Sequence, residues 1–194
     1  MNLDTLITSI PLKSGLFGKK PTALTIYSDG IILSYKTGSK EYLFSQISAI
    51  KSLDYMAPNP INYHVDLFDN AGAKITSLDI PYEQRANLPH LFMAHRDYTL
   101  GPNFPMDLPQ RDFVLDNYLS WQKGKLVHKT RKGTTTYLPE QIDRFTETNG
   151  SWFFTLHGSK DTVGLFFMDC PNCLTSLAVC YAIAADDPEQ VQIL

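Results

Sequence analysis

The chain has no apolar run approaching the ~20 residues that a membrane-spanning helix requires. Its most apolar segment, residues 173–185, is too short, so the sequence predicts a soluble protein. Cysteine is scarce. Cys170, Cys173 and Cys180 leave one thiol unpaired whatever bridge is drawn, which excludes a fully paired disulfide scaffold and fits a reducing compartment. Positive charge is not in excess: Lys and Arg number 17 against 20 Asp and Glu, for a net charge of −3. A protein built to bind nucleic acid is normally basic, so nucleic acid is not an expected partner. Asp4 precedes the first lysines, which follow the apolar part of the N-terminus. That reverses the charge order of a secretory signal and makes the cytoplasm the expected location.

Catalytic frames are missing as well. No G-x-S-x-G turn fixes a serine nucleophile, and His64, His90, His95, His128 and His157 are scattered, with His90 and His95 five apart on different helix faces. One C-x-x-C pair has no second pair to complete a structural zinc site. No catalytic residue, cofactor or metal ligand is therefore assigned, and an enzyme is not expected.

What the chain does have is a pattern used twice. At a constant offset of 95, Gly38, Tyr42, Leu43, Gln46 and Ile47 meet Gly133, Tyr137, Leu138, Gln141 and Ile142, and Ile50 meets Phe145. At 43% hydrophobic and 19% charged residues, each half can bury a core. Residues 100–109, LGPNFPMDLP, carry three prolines and form the expected linker, an extended and rather stiff one. Residues 1–99 and 110–194 are the expected domains.

In chain order, Leu3, Leu6, Ile7 and Ile10 are spaced for one or two helical turns over residues 2–10. A basic, turn-rich loop with Lys13, Lys19 and Lys20 follows. Period-two alternation then predicts a three-stranded meander from residue 23, with Gly30 closing a tight hairpin through positive φ. A proline loop over 52–60, a hairpin over 63–80 and a helix over 82–95, bent or delayed by Pro89, complete the first half. The second half repeats the order, with one strand over 113–121. Trp152, Phe154 and Leu156 align with Tyr63, Val65 and Leu67, and a helix running from about 171 to 185 is apolar on more than one face. The tail, 186–194, is polar. Each half shows five or six strands, an α+β and mainly β composition.

Ser28-Asp29-Gly30, the phrases running from Tyr42 to Ile50 and from Tyr137 to Phe145, and Gly124-Lys125-Leu126-Val127 resemble the bacterial pleckstrin-homology-like (PH-like) fold. The resemblance implies two tandem units, each a strongly bent antiparallel sheet or partly open barrel closed by a C-terminal helix. It also implies modules that bind lipids, peptides or proteins, or merely assemble. The leading expectation is a non-enzymatic binding or scaffold protein that takes a protein partner or associates with itself.

Two local features carry alternatives. Lys123, Lys125, Lys129, Arg131 and Lys132 place five positive charges in ten residues without an acid between them. Such a hairpin could recruit an anionic lipid or phosphorylated ligand, or it could be a charged strand edge that prevents aberrant pairing. Cys170-Pro171-Asn172-Cys173 opens a helix, whose N-terminal field lowers a thiol pKa, as a thiol-dependent enzyme would need; the plainer reading is small residues in a core. Tyr55, Met56, Phe104 and Trp121 are the aromatic and methionine candidates for a protein interface.

Overall fold

Apolar residues alternating with polar ones put every second side chain on one face of a strand, and the chain answers that pattern with two matching sets of strands. The computed structural model describes residues 3–13, 20–52, 62–148 and 151–185. The chain divides into two compact units, Met1–Thr99 and Leu100–Leu194.

In the first unit, β1 (Leu6–Pro11), β2 (Ala23–Tyr27), β3 (Gly30–Tyr35) and β4 (Gly38–Leu43) form an antiparallel sheet in that order. A 3-10 turn at Phe44–Gln46 leads into a second sheet of β5 (Ile47–Ser52), β6 (Asn62–Asp69) and β7 (Lys74–Pro81), and α1 (Leu88–Leu100) follows. The second unit has the same order. Its first sheet is β8 (Asp112–Val114), β9 (Leu119–Gln122), β10 (Lys125–Thr130) and β11 (Gly133–Tyr137). After a 3-10 turn at Pro139–Gln141 come β12 (Ile142–Thr148), β13 (Ser151–Leu156) and β14 (Thr162–Leu165), then α2 (Cys173–Ile183). Among the described residues the protein is mainly β, with two helices and four separate sheets, so neither unit as described is one continuous bent sheet or a closed barrel.

The repeated phrase is the corner that takes the chain from one sheet to the other. Gly38 and Gly133 each follow a two-residue hairpin loop and take φ of +143° and +138°, a region that side chains with a Cβ rarely enter. At the corner, the amide of Leu43 donates to Gln46 Oε1 at 3.0 Å, and the amide of Leu138 donates to Gln141 Oε1 at 2.8 Å. A glutamine side chain thus accepts a donor that the end of the 3-10 turn would otherwise leave unpaired. Just beyond, the register slips between Ile47 and Ala49 in one unit and between Ile142 and Arg144 in the other, a bulge at the same place.

The helices close the cores. Pro89 lies in the first turn of α1, where its missing N–H costs no helix bond, so it delays the helix to Leu88 rather than bending it. Leu88, Leu91 and Phe92 of α1 are buried, and His95 Nε2–H donates to the carbonyl of Ile47 at 3.0 Å while its ring meets Phe44 edge-on at 5.4 Å. Burial lowers the His95 pKa, which keeps this bridge neutral. In α2, Asn172 caps the start by accepting from the amides of Leu174 and Thr175. Cys173, Ala178, Val179, Cys180 and Ile183 are buried, so the helix is covered on more than one side. No helix among the described residues is long and apolar enough to cross a membrane.

Several expectations need correction. Residues 6–11 are not helical: β-branched Ile7, Thr8 and Ile10 suit a strand, and pairing with β2 outweighs the helical spacing. Among the described residues each unit has seven strands in place of five or six. The strand expected over 113–121 is two, β8 and β9, because Asp116 folds the chain back between them. Gly30 is needed for space and not for positive φ: a Cβ there would lie 2.5 Å from Tyr42 O. Phe154 sits opposite Phe145 as Leu67 sits opposite Ile50, two residues from the expected alignment. Period-two alternation cannot distinguish registers that differ by two. The expected linker, residues 100–109, is not extended: Leu100 ends α1, residues 102–107 form successive turns, and a 3-10 turn follows at Leu108–Gln110. The loop residues 14–19, the stretch 53–61 and the tail 186–194 lie outside the described residues.

Candidate binding surfaces of the second unit

The five basic residues of the sequence analysis lie along one hairpin. Lys123 and Gly124, at φ of +44° and +80°, make the two-residue turn between β9 and β10. Lys125 and Lys129 lie on β10, and Arg131 with Lys132 forms the turn into β11. All five are exposed. β10 is roughly 17 Å long at the usual rise per residue, so the charges form a row. Lys123 and Lys125 lie at one end of β10, and Lys129, Arg131 and Lys132 at or beyond the other. Among the described residues β11 pairs only with β10, and its residues 133–136 are exposed.

A second surface was not legible in the sequence. Asp116 is 2% exposed, yet its carboxylate accepts three backbone donors: Oδ1 from the amides of Tyr118 at 2.7 Å and Leu119 at 2.6 Å, and Oδ2 from the amide of Phe166 at 2.9 Å. A buried carboxylate is costly unless hydrogen-bonded, and these donors satisfy it. They also tie the β8–β9 turn to the segment after β14. The consequence lies outside the core: the rings of Tyr118 and Phe166 meet at 6.1 Å with planes 69° apart, while Tyr118 remains 49% and Phe166 61% exposed. Val114 and Met168, each two residues from a member of this group, are also exposed. The signal that could have revealed the brace is Asp116-Asn117, a turn dipeptide inside an otherwise strand-like run.

The aromatic candidates fare differently. Phe104 and Trp121 are buried, and the indole N–H of Trp121 donates to Leu108 O at 2.8 Å. Trp121 follows Leu119 on the inward face of β9, so alternation buries it. Tyr55 and Met56 lie outside the described residues.

All three cysteines are buried and free. Burial pushes the thiols of Cys170 and Cys173 up to about 12 and that of Cys180 well above its ordinary value. For Cys173, the first residue of α2, burial raises the thiol pKa rather than lowering it as the thiol-dependent alternative would need, and its placement matches the plainer reading of a small core residue. Lys20 pairs with Asp79, Lys13 is exposed, and Lys19 lies outside the described residues. Across from Asp79 on the neighbouring strand, His64 Nδ1 lies 2.6 Å from its other oxygen. Partial burial pushes the Asp79 carboxyl up, but hydrogen bonds from Lys20 and His64 more than reverse this and leave it below the ordinary value. Among the described residues no group of three or more His, Cys, Asp or Glu is placed to hold a metal ion.

No protein-family model matches the chain, and no curated protein matches it. Among solved structures, a chain from "Structure of the Spt16D Pob3N heterodimer" is similar to this one. The likeness covers 82% of this chain and 89% of that one, at 12% identity and a TM-score of 0.36.

Proposed function

We propose that this is a non-enzymatic binding or scaffold protein of the bacterial cytoplasm, built from two tandem PH-like units and acting through protein–protein contact or self-association. The observation that carries the reading is the exposed Tyr118–Phe166 pair, set in place by a buried carboxylate. Exposed aromatic side chains dominate binding energy at many protein interfaces, and here the backbone that carries each ring is hydrogen-bonded to the Asp116 carboxylate. The matching order of sheets, corner and helix in the two units supports the tandem reading.

Sedimentation velocity over a wide concentration range, together with retention of candidate partners on the immobilised full chain, tests the proposal. The wild type forms a larger species or retains a protein, and the double variant Tyr118→Ser/Phe166→Ser loses that property while keeping its circular dichroism spectrum. A wild type that stays monomeric and retains nothing overturns the reading. So does a double variant that behaves as the wild type does.

A further inference from the structure

The edge of β11 makes a second site independent of the aromatic pair. Proteins commonly protect such an edge with charges, proline or a bulge. In β4, the corresponding strand of the first unit, Lys40 and Glu41 lie on the edge strand itself. β11 reads Gly-Thr-Thr-Thr-Tyr, without a charge or a proline, and its pairing with β10 is regular throughout. Threonine is a good strand former. On an outermost antiparallel strand, alternate residues direct both N–H and C=O away from the sheet. Among the described residues nothing pairs with them.

The surroundings select an occupant. Thr134 lies opposite Lys129 and Thr136 opposite Val127, so these four side chains share one face of the hairpin. Arg131 and Lys132 stand at the end of the same strand, and Lys125 begins β10. A strand added to β11 would thus lie beside a row of positive charge. A second copy adding its own β11 would bring like charges together, which electrostatics disfavours. We propose that the open edge of β11 binds an acidic peptide segment of a partner protein in extended form, adding it as a fifth strand to this sheet. Main-chain hydrogen bonds to the edge supply affinity, and the lysines and arginine select carboxylate-bearing sequences.

The probe is a fluorescein-labelled decapeptide alternating valine and glutamate, followed by fluorescence anisotropy with the full chain. Three companions are a peptide with alternate amides N-methylated, a lysine-for-glutamate version, and vesicles of phosphatidylcholine with phosphatidylserine. The acidic peptide binds, and more weakly as salt rises. N-methylation, which removes main-chain donors without changing charge, weakens it at least about tenfold. Thr134→Glu/Thr136→Glu, at two exposed positions, weakens it similarly, whereas Thr134→Ser/Thr136→Ser does not.

No binding of the acidic peptide overturns the inference, as does equal binding of the N-methylated or lysine peptide. Vesicle binding without peptide binding assigns the row to membranes instead, and pairing of two chains that the Thr→Glu variant abolishes assigns the edge to self-association; either result overturns it. Tyr118 and Phe166 are untouched throughout, so failure here leaves the aromatic-surface reading standing, and failure of that reading leaves this one standing.

Discussion

Replacing Asp116 with asparagine tests whether the buried carboxylate holds the second unit's surface in place. The two side chains have nearly the same shape, so packing is conserved and hydrogen bonding is the main change. As asparagine, the residue keeps one acceptor oxygen, which can still serve the amides of Tyr118 and Leu119, but its NH2 then faces the amide of Phe166, 2.9 Å from the original oxygen. One hydrogen bond to a charged group is lost, a cost of about 1.5–3 kcal/mol, and two donors confront each other. Relief from burying a charge offsets part of that cost. A net loss of about 2 kcal/mol lowers the melting temperature of a unit of this size by roughly 10 °C. Asp116→Ala removes the acceptor for all three amides and costs more, about 3–4 kcal/mol, because the amide of Leu119 is buried with it.

Both tryptophans, Trp121 and Trp152, lie in the second unit, so tryptophan fluorescence during urea unfolding reports that unit without interference from the first. Hydrogen exchange supplies the local test. In Asp116→Asn the amide of Phe166 loses protection more than those of Tyr118 and Leu119, and in Asp116→Ala all three lose it. A midpoint equal to that of the wild type, with unchanged exchange at Phe166, would refute the brace and the argument that the aromatic pair is held by it.

Gly30→Ala is destabilising by about 1–3 kcal/mol, since its Cβ would meet backbone at 2.5 Å, whereas Gly164→Ala, with its nearest atom at 3.7 Å, is neutral or slightly stabilising; thermal melts of the two variants should move apart. Gln46→Ala and Gln141→Ala each cost about 0.5–1 kcal/mol, because the leucine amide they release is near water, and each speeds exchange at its own Leu43 or Leu138 amide. An effect in only one unit breaks the equivalence of the two corners. The lowered pKa of Asp79 means that it favours folding at pH values above its ordinary pKa of 3.8, and that this contribution disappears as pH falls through the still lower folded value. Asp79→Asn should therefore lower first-unit stability at neutral pH, measured by exchange in β6 and β7, and flatten its acid limb.

The parts of the fold visible in the sequence are those fixed by short-range chemistry. Gly38 and Gly133 are conspicuous because a hairpin exit at positive φ strongly favours glycine, and Gln46 and Gln141 because each reaches an amide three residues back. The less visible parts depend on partners distant in sequence. Residues 6–11 satisfy a helical spacing until β2 offers them a ladder. The two-residue shift of β13 keeps every side chain on its proper face, so alternation alone could not detect it.

The same division explains the two candidate surfaces. The basic hairpin is contiguous, so counting charges found it, but its open edge appears only once β11 is seen to lack a second neighbour. The aromatic pair joins residues 118 and 166 through Asp116, a contact fifty residues long in sequence for its Phe166 arm. Neither residue could be marked as exposed from local pattern: Trp121, the more conspicuous aromatic, is turned inward by alternation on β9, while Tyr118 stands in the turn that Asp116 creates. A corner built from nearby residues can therefore recur in both halves as a readable phrase, while a surface assembled by a long-range hydrogen bond can belong to one half alone and leave only a turn dipeptide behind.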